Sequence, residues 1–338
     1  MVDSHFDPST NRLAIGVDIG GTKVAAGVVT GGGQIVDRYI RPTPERGEAK
    51  PTVELLCRAI DHLRDDFPTV VAVGVGAAGL VEWPSGHIRS APNNAYRDLP
   101  LRELLTQYTG LPVSVENDAN VAAAAEARFG SGIGYTDSIT ITVGTGVGGG
   151  IVIGDQLFRG PAGIGAEVGH LVVDPKHGAR CGCGAIGCLE AMASGIALAR
   201  AGRDAAAAEP YGVLLSLAGR PENVRGETVV EAARQGDPTA ITLLEELGYW
   251  LGIGIASLVN IFDTQVIILA GGIGSNANDL LLPSIQATFE RFVFARHHRL
   301  LPKIVTARLG SDAGVIGAAH LARQGAETLS PARPDLAN

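Results

Sequence analysis

The stretch LAIGVDIGGTKVAAGVV, Leu13–Val29, decides how this chain folds. Leu13 to Asp18 is an apolar, β-rich run, Gly20-Gly21-Thr22 is a turn, and Lys23 to Val29 reads as the returning strand. This is a hairpin with a glycine tip. The same pattern returns at SITITVGTGVGGGIVI, Ser138–Ile153, where a strand over Ser138 to Val143 enters a glycine turn and Ile151 to Ile153 leads away. Two such hairpins, each at the head of an α/β half, predict a duplicated α/β architecture with a cleft in which both turns face one ligand.

Outward from the first hairpin, a strand is expected at Gln34 to Tyr39, an amphipathic helix at Thr52 to Leu63 and a buried strand at Val70 to Val75. A loop rich in Pro, Asn and Gly runs from Trp83 to Arg97. A helix over Leu99 to Thr109, a strand over Val113 to Val115 and an Ala-rich helix over Ala119 to Phe129 follow. Outward from the second hairpin, helices are expected over Met192 to Ala208 and Val229 to Leu258. A strand over Val266 to Ala270 then runs into Gly271-Gly272, and a last helix covers Ala313 to Arg323. The division expected is a small α/β domain over 12–120, joined by the C-terminal helix at about 313–325, and a larger one over 121–312.

The chain has 338 residues, 46% hydrophobic and 18% charged, which suits folded domains with real cores and excludes a disordered protein. A net charge of -8 argues against general binding to nucleic acid or anionic membranes, since either needs a basic face. The polar start MVDSHFDPSTNR lacks the pattern of a secretory signal, so a cytoplasmic protein is expected. The apolar runs Val70 to Val81 and Leu251 to Phe262 fall short of a bilayer span, so no membrane helix is expected.

Glycine-rich turns bring backbone N–H groups close to phosphate oxygens. Gly20, Gly21, Thr22 and Lys23 add a hydroxyl and an ammonium to such a turn, and Gly144, Thr145 and Gly146 form a second one. GVDIGGTK is not a P-loop, because Thr22 precedes Lys23 and a strand follows. The GxGxxG spacings at Gly74/Gly76/Gly79 and Gly144/Gly146/Gly149 lack the helix that a dinucleotide site requires. Asp18 suits a Mg²⁺ held through water, or caps its own turn. Asp118, in Glu116-Asn117-Asp118-Ala119-Asn120, stands at a strand-to-helix junction, where it is either a general base or, with Asn117, a helix cap. Asn93 and Asn94 lie in the Pro/Asn/Gly loop, as ligand contacts or as turn residues.

Cys181, Cys183 and Cys188 crowd one glycine-rich knuckle, and His170 stands a short loop upstream. This is a Cys₃His set for structural Zn²⁺, fully coordinated and unable to activate water. Glu167, His170 and Glu190 flank the knuckle, either presented to a ligand or simply solvated. Cys57, on a helix, reads as a small core residue.

Taken together, GVDIGGTKVAAGVV, ENDANVAAAAEARFG, TVGTGVGGGIVIG, GAEVGH and CGCGAIGCLE resemble the ROK family of bacterial sugar kinases and sugar-responsive repressors, from about Leu13 to about Arg323. The resemblance implies an actin-like ATPase (ribonuclease H-like) fold, with two α/β domains around a central cleft. ATP phosphates would be held by both glycine hairpins with Mg²⁺, and Gly271 and Gly272 would lie near the adenosine. Asp118 would be the base. Gly79, Asn93, Asn117, Glu167, His170 and Glu190 would contact the sugar, His170 also ligating zinc through its other ring nitrogen. Within the family the chain is similar to the glucokinases, which transfer the γ-phosphate to the 6-hydroxyl of glucose. The alternatives are a kinase for fructose, mannose or N-acetylmannosamine, or a sugar-sensing regulator. Such regulators carry an N-terminal helix-turn-helix domain, and about a dozen residues precede the first strand here. A homo-oligomer, dimer or tetramer, is implied as well. Many relatives place Trp shortly after Ala91-Pro92-Asn93, and Tyr96 is expected to replace it in part.

Overall fold

The computed structural model describes residues 12–44, 49–91, 96–209 and 212–329. In chain order it opens with strands β1 (Ala14–Ile19), β2 (Lys23–Val29) and β3 (Ile35–Pro42), helix α1 (Ala49–Asp66) and strand β4 (Val73–Ala77). Three short strands follow, β5 (Leu80–Val81), β6 (Ile88–Ser90) and β7 (Arg97–Leu99), then α2 (Leu101–Thr109), β8 (Val113–Asn117) and α3 (Asp118–Phe129). The second hairpin is β9 (Ser138–Val143) and β10 (Val147–Ile153), with β11 (Gln156–Phe158) after it. Helices α4 (Leu189–Ala193), α5 (Gly195–Ala208), α6 (Val213–Ala218), α7 (Gly226–Arg234) and α8 (Pro238–Phe262) come next. The chain then forms β12 (Val266–Ala270), α9 (Gly271–Asn276), α10 (Asn278–Phe292), β13 (Lys303–Thr306) and α11 (Ala313–Leu329).

These elements form two compact units. Unit 1 takes in the described residues up to Phe129, Leu157–Gly165 and those from Ser311 onward; unit 2 takes in Gly130–Gln156 and Ala166–Gly310. Unit 1 is built on a sheet of order β3-β2-β1-β4-β8. In it β1 pairs antiparallel with β2 and parallel with β4, which pairs parallel with β8. Strand β1 lies in the middle, so both its faces are covered and Ile15 and Val17 are fully buried, as a continuous apolar run requires. Strand β3 is an edge and alternates between half-buried and exposed residues along its first six positions.

Helix α11 lies on β1 and β4 and also packs on α3. Glycine permits this approach. A Cβ on Gly16 would sit 1.8 Å from the Val315 carbonyl oxygen, and one on Gly74 would sit 1.9 Å from that of Ala318. Val121 and Ala124 of α3 close on Ala318 and Leu321 of α11, which places α3 in unit 1, beyond the border expected at 120.

Unit 2 repeats the design. Its sheet has the order β11-β10-β9-β12-β13, with β9 antiparallel to β10 and parallel to β12, and β12 parallel to β13. The two sheets share one strand order, and the directions of β10, β9, β12 and β13 repeat those of β2, β1, β4 and β8, as the repeated hairpin predicts. Helix α8 has 25 residues and is, by length and composition alone, long and apolar enough to cross a membrane, but half of its apolar window is buried inside the protein, as in a core helix. It is the central helix of this unit. Leu244, Leu247, Leu251, Ile255 and Val259 are buried along it, and α4, α5, α7 and α10 pack around it.

Two other expectations change. The helical stretch over Val229 to Leu258 divides into α7 and α8, because Gly236 takes φ +84° and Asp237 caps α8 through the Ala240 N–H at 2.7 Å, with Pro238 next. The loop from Trp83 to Arg97 contributes β6 and the start of β7 to a small β5-β6-β7 sheet. Tyr96 belongs to the core of unit 1 at 3% exposure, so it offers no wall to a ligand.

Candidate active site

In unit 1 the carboxyl ends of three parallel strands lie side by side, which is where open α/β sheets bind ligands. Asp18 of β1 pairs in register with Gly76 of β4, which pairs with Glu116 of β8. Beyond Asp18 the chain turns through Gly20, whose N–H donates to the Lys23 carbonyl at 3.0 Å. Gly21, Thr22 and Lys23 are exposed at the tip. Asp18 is half-buried, with Gly314 so close that a Cβ there would meet its carboxylate at 2.6 Å. Loss of hydration, then the charge of Asp118, raises the Asp18 carboxyl to about 6, against the opposing pull of Lys23.

The junction of β8 and α3 resolves which residue caps the helix. Asn117 Oδ1 accepts from the N–H groups of Ala119 at 2.9 Å and Asn120 at 3.2 Å, so Asn117 is the cap. Its Nδ2 donates to the Gly79 carbonyl at 3.2 Å, which leaves one amide hydrogen for a ligand. Gly79 must be glycine, since φ is +119° and a Cβ would lie 2.3 Å from the Ser90 carbonyl oxygen. Asp118 is therefore released from capping. It is exposed in the first turn of α3, and its Oδ1 accepts from the Ala119 N–H at 2.9 Å. Crowding by surrounding protein nonetheless strips hydration from the carboxyl and raises it above the usual range, against backbone N–H groups of Ala119 and Asp118. Asn93 lies outside the described residues, as does Asn94.

In unit 2 the β9–β10 tip is tied down by the start of α5. The Gly144 carbonyl accepts from the Gly195 N–H at 2.8 Å and that of Thr145 from Ile196 at 3.3 Å, while Thr145 itself stays exposed. Glu190 braces the other side, its Oε2 accepting from the Val147 N–H at 3.1 Å and filling the space a Cβ on Gly146 would need. That carboxylate is thus partly committed to the hairpin. Glu167 is exposed and precedes a single 3₁₀ turn over Val168–His170. Gly271, at the end of β12, has φ +84° and a backbone so close to Val143 that a Cβ would lie 2.5 Å from its carbonyl oxygen; Gly272 beside it is exposed. No helix directly follows Gly79 or Gly149, since β5 begins after the first and β10 continues through the second, so neither glycine pattern is a dinucleotide turn.

The knuckle brings the ring nitrogen of His170 and the thiols of Cys181, Cys183 and Cys188 within 4.8 Å of one another. Cys181 Sγ lies 3.7 Å from His170 Nδ1, and the sulfurs of Cys183 and Cys188 are 3.7 Å apart. A tetrahedral Zn²⁺ with Zn–S bonds of about 2.3 Å sets its sulfurs roughly 3.8 Å apart, so the four donors fit the ion. Burial and neighbouring thiols push the Cys188 thiol up to about 12, a cost that a bound cation removes. With Nδ1 turned to the cluster, His170 Nε2 points elsewhere.

Sequence reading quotes Glu116 without assigning it, and it misses Arg159 altogether. Glu116 is buried, and its Oε2 accepts from Arg159 Nε at 2.5 Å. Arg159 lies in the segment that returns to unit 1, more than forty positions from its partner, so no local pattern marks it.

The two like-ordered sheets, each entered by a glycine hairpin, define a protein of the actin-like ATPase class. Residues 14–325 match the profile of the ROK family, and the chain belongs to that family. It is 44% identical over 315 residues to the glucokinase of Streptomyces coelicolor, covering 92% of this chain and 98% of that one. The crystal structure of a ROK family glucokinase from Streptomyces griseus in complex with glucose and AMPPNP superposes with a TM-score of 0.81 at 45% identity, covering 92% of this chain and 99% of that one. The ROK hexokinase from Thermus thermophilus gives 0.80 at 37% identity, covering 94% and 99%.

Proposed function

We propose that this chain is an ATP-dependent glucokinase in which Asp118 is the general base. The observation that carries the base assignment is the division of labour at the head of α3, where Asn117 caps and Asp118 is left with an accessible carboxylate. The similarity to glucokinases over nearly the whole of both chains supports the substrate.

In this reading the 6-hydroxyl of glucose gives its proton to Asp118 as its oxygen bonds to the γ-phosphorus of ATP. The bond to the β-phosphate oxygen breaks, and ADP leaves. The raised carboxyl of Asp118 makes it a stronger proton acceptor than an ordinary aspartate once it is ionised. In unit 1, the Gly20–Lys23 turn offers N–H groups, a hydroxyl and an ammonium to phosphate, while Asn117 offers its remaining amide hydrogen to the sugar. In unit 2, Gly144, Thr145 and Gly146 serve phosphate, Gly271 and Gly272 serve the adenosine, and Glu167 and His170 Nε2 serve the sugar. Glu190 holds the hairpin and reaches the sugar with what its carboxylate has left. Asp18 is the residue that would hold the Mg²⁺ accompanying ATP, an ion that would supply charge neutralisation on the transferring phosphates.

The same reading makes the protein a cytoplasmic homo-oligomer, dimer or tetramer, that does not bind nucleic acid; light scattering on the purified protein measures the assembly. A coupled assay of ADP release tests the activity, with glucose, mannose, fructose and N-acetylmannosamine each offered with ATP, and polyphosphate tried as donor by the appearance of sugar phosphate. Glucose with ATP is expected to give the highest kcat/KM. Absence of sugar-dependent turnover with every pair removes the kinase reading, and a tenfold preference for another sugar removes glucose.

A further inference from the structure

We infer that Arg159 is a positioning residue for the Asn117–Asp118 junction, acting through Glu116 and held in place by Trp83. Arg159 sits outside every ligand-facing set described above. Its segment, Leu157–Gly165, belongs to unit 1 although its neighbours on both sides along the chain belong to unit 2. Something must hold that excursion in place, and the contacts lie beside Asp118.

Glu116 is the hub. Its side chain is 4% exposed, so each carboxylate lone pair needs a partner. Oε1 accepts from the backbone N–H of Asn117 at 3.1 Å and from Asn120 Nδ2 at 3.1 Å, and Oε2 accepts from Arg159 Nε at 2.5 Å. The first two bonds fix the last residue of β8 and the first turn of α3 from below. Asn117, thus oriented, caps the helix and reaches across to the Gly79 carbonyl. Asp118 lies between the two braced residues.

The guanidinium is itself gripped. Its carbon lies 4.1 Å from the centroid of the Trp83 ring, a cation–π stack that selects a planar cation over an ammonium. Trp83 is attached to the same segment, its backbone N–H donating to the Ala162 carbonyl at 3.2 Å. Gly163 packs so closely that a Cβ there would meet the Trp83 backbone nitrogen at 2.3 Å. Loss of Arg159 would leave the Glu116 charge buried without its cation, and the cheapest response is rotation of that carboxylate away from Asn117 and Asn120. Asp118 would then stay present but lose its fixed direction, a loss felt in turnover before binding.

The inference rests on the kinase reading for its activity readout, so a second readout independent of activity accompanies it. Arg159→Lys, Arg159→Met and Trp83→Leu are compared with wild type for kcat, KM for glucose, melting temperature and amide hydrogen exchange over residues 117–121. Arg159→Met is expected to lower kcat at least 30-fold, Arg159→Lys about tenfold and Trp83→Leu about threefold. KM should stay within threefold, and exchange over 117–121 should rise in the same order while the rest of α3 keeps its protection. Arg159→Lys, which keeps the charge, guards against a variant that does not fold. The inference is overturned if kcat of Arg159→Lys equals wild type, if exchange over 117–121 is unchanged, or if kcat falls only in proportion to the folded fraction. A wild type without glucose-dependent turnover would instead sink the kinase reading, with the exchange data still deciding whether Arg159 braces the junction.

Discussion

Asp18 and Asp118 stand at strand ends of unit 1, and their surroundings push both carboxyls in one direction. Asp118 is raised by lost hydration, so as the proposed base, which must be ionised to act, it should lose function as acid is added. The acidic limb of kcat/KM is therefore expected above the ordinary carboxylate range, and with Asp18 at about 6 the limb belongs to the coupled pair. Asp118→Asn should keep glucose affinity within a few fold and lower kcat by roughly 10³ or more, measured by sugar-dependent ADP release and by calorimetric binding. Unchanged turnover in that variant would remove the assignment. Asp18 makes a separate prediction about stability. The folded protein holds this proton more tightly than the unfolded chain, so ionisation carries no penalty below the ordinary aspartate value of 3.8 and its full penalty above about 6. At 1.36 kcal/mol per pH unit, that penalty is at most ~3 kcal/mol at neutral pH. Asp18→Asn should thus melt close to wild type at pH 4 and several degrees higher at pH 7, while losing phosphoryl transfer. A calorimetric difference that does not change with pH would contradict the cause given for the shift.

At the level of elements, legibility followed the range of the forces involved. The hairpin strands were readable because burial on both faces demands continuous apolar runs, and the zinc knuckle because four donors stand close in sequence. The head of α3 was half readable. ENDAN advertises a strand-to-helix junction, but only the bonds from Asn117 to Ala119 and Asn120 decide which residue caps and which stays free. The small β5-β6-β7 sheet was hidden because its strands are two or three residues long, too short for alternation to register. Tyr96 misled for a related reason: its place in the chain suggested the site, whereas packing against the unit 1 core claimed the ring. Arg159 was not readable at all, since its partners Glu116 and Trp83 come together only once the chain has returned to unit 1. Glu190 shows why neighbouring elements share fate. It belongs to α4 just after Cys188, yet it bonds the backbone of β10 beside the glycine tip, so the metal knuckle and the phosphate-type hairpin are one mechanical assembly.

Across the whole molecule the chain repeats one sheet design twice and gives each copy its own buried cluster, Ile15, Val17 and Leu56 among the residues of one and Ile139, Leu251 and Ile267 among those of the other. The Cys₃His cluster, which fits Zn²⁺, belongs wholly to unit 2, because His170 and Cys181 to Cys188 fall in Ala166–Gly310. Removing the metal should therefore weaken unit 2 first. The sequence supplies reporters for this test, since it holds 2 tryptophans, Trp83 in unit 1 and Trp250 in unit 2. Trp83→Phe leaves the indole of Trp250, which packs on the unit 2 core, and Trp250→Phe leaves that of Trp83. One zinc per chain is expected by elemental analysis of the purified protein, and Cys183→Ala should retain less than a tenth of it. Chelation that costs the site ~3 kcal/mol should lower the transition seen by Trp250 by roughly 6–12 °C, at the 2–4 °C per kcal/mol typical of domains of this size. The transition seen by Trp83 should move by less than half as much. Equal shifts at both indoles would mean that the two cores melt as one cooperative body, and equal zinc in wild type and Cys183→Ala would remove that thiol from the ligand set.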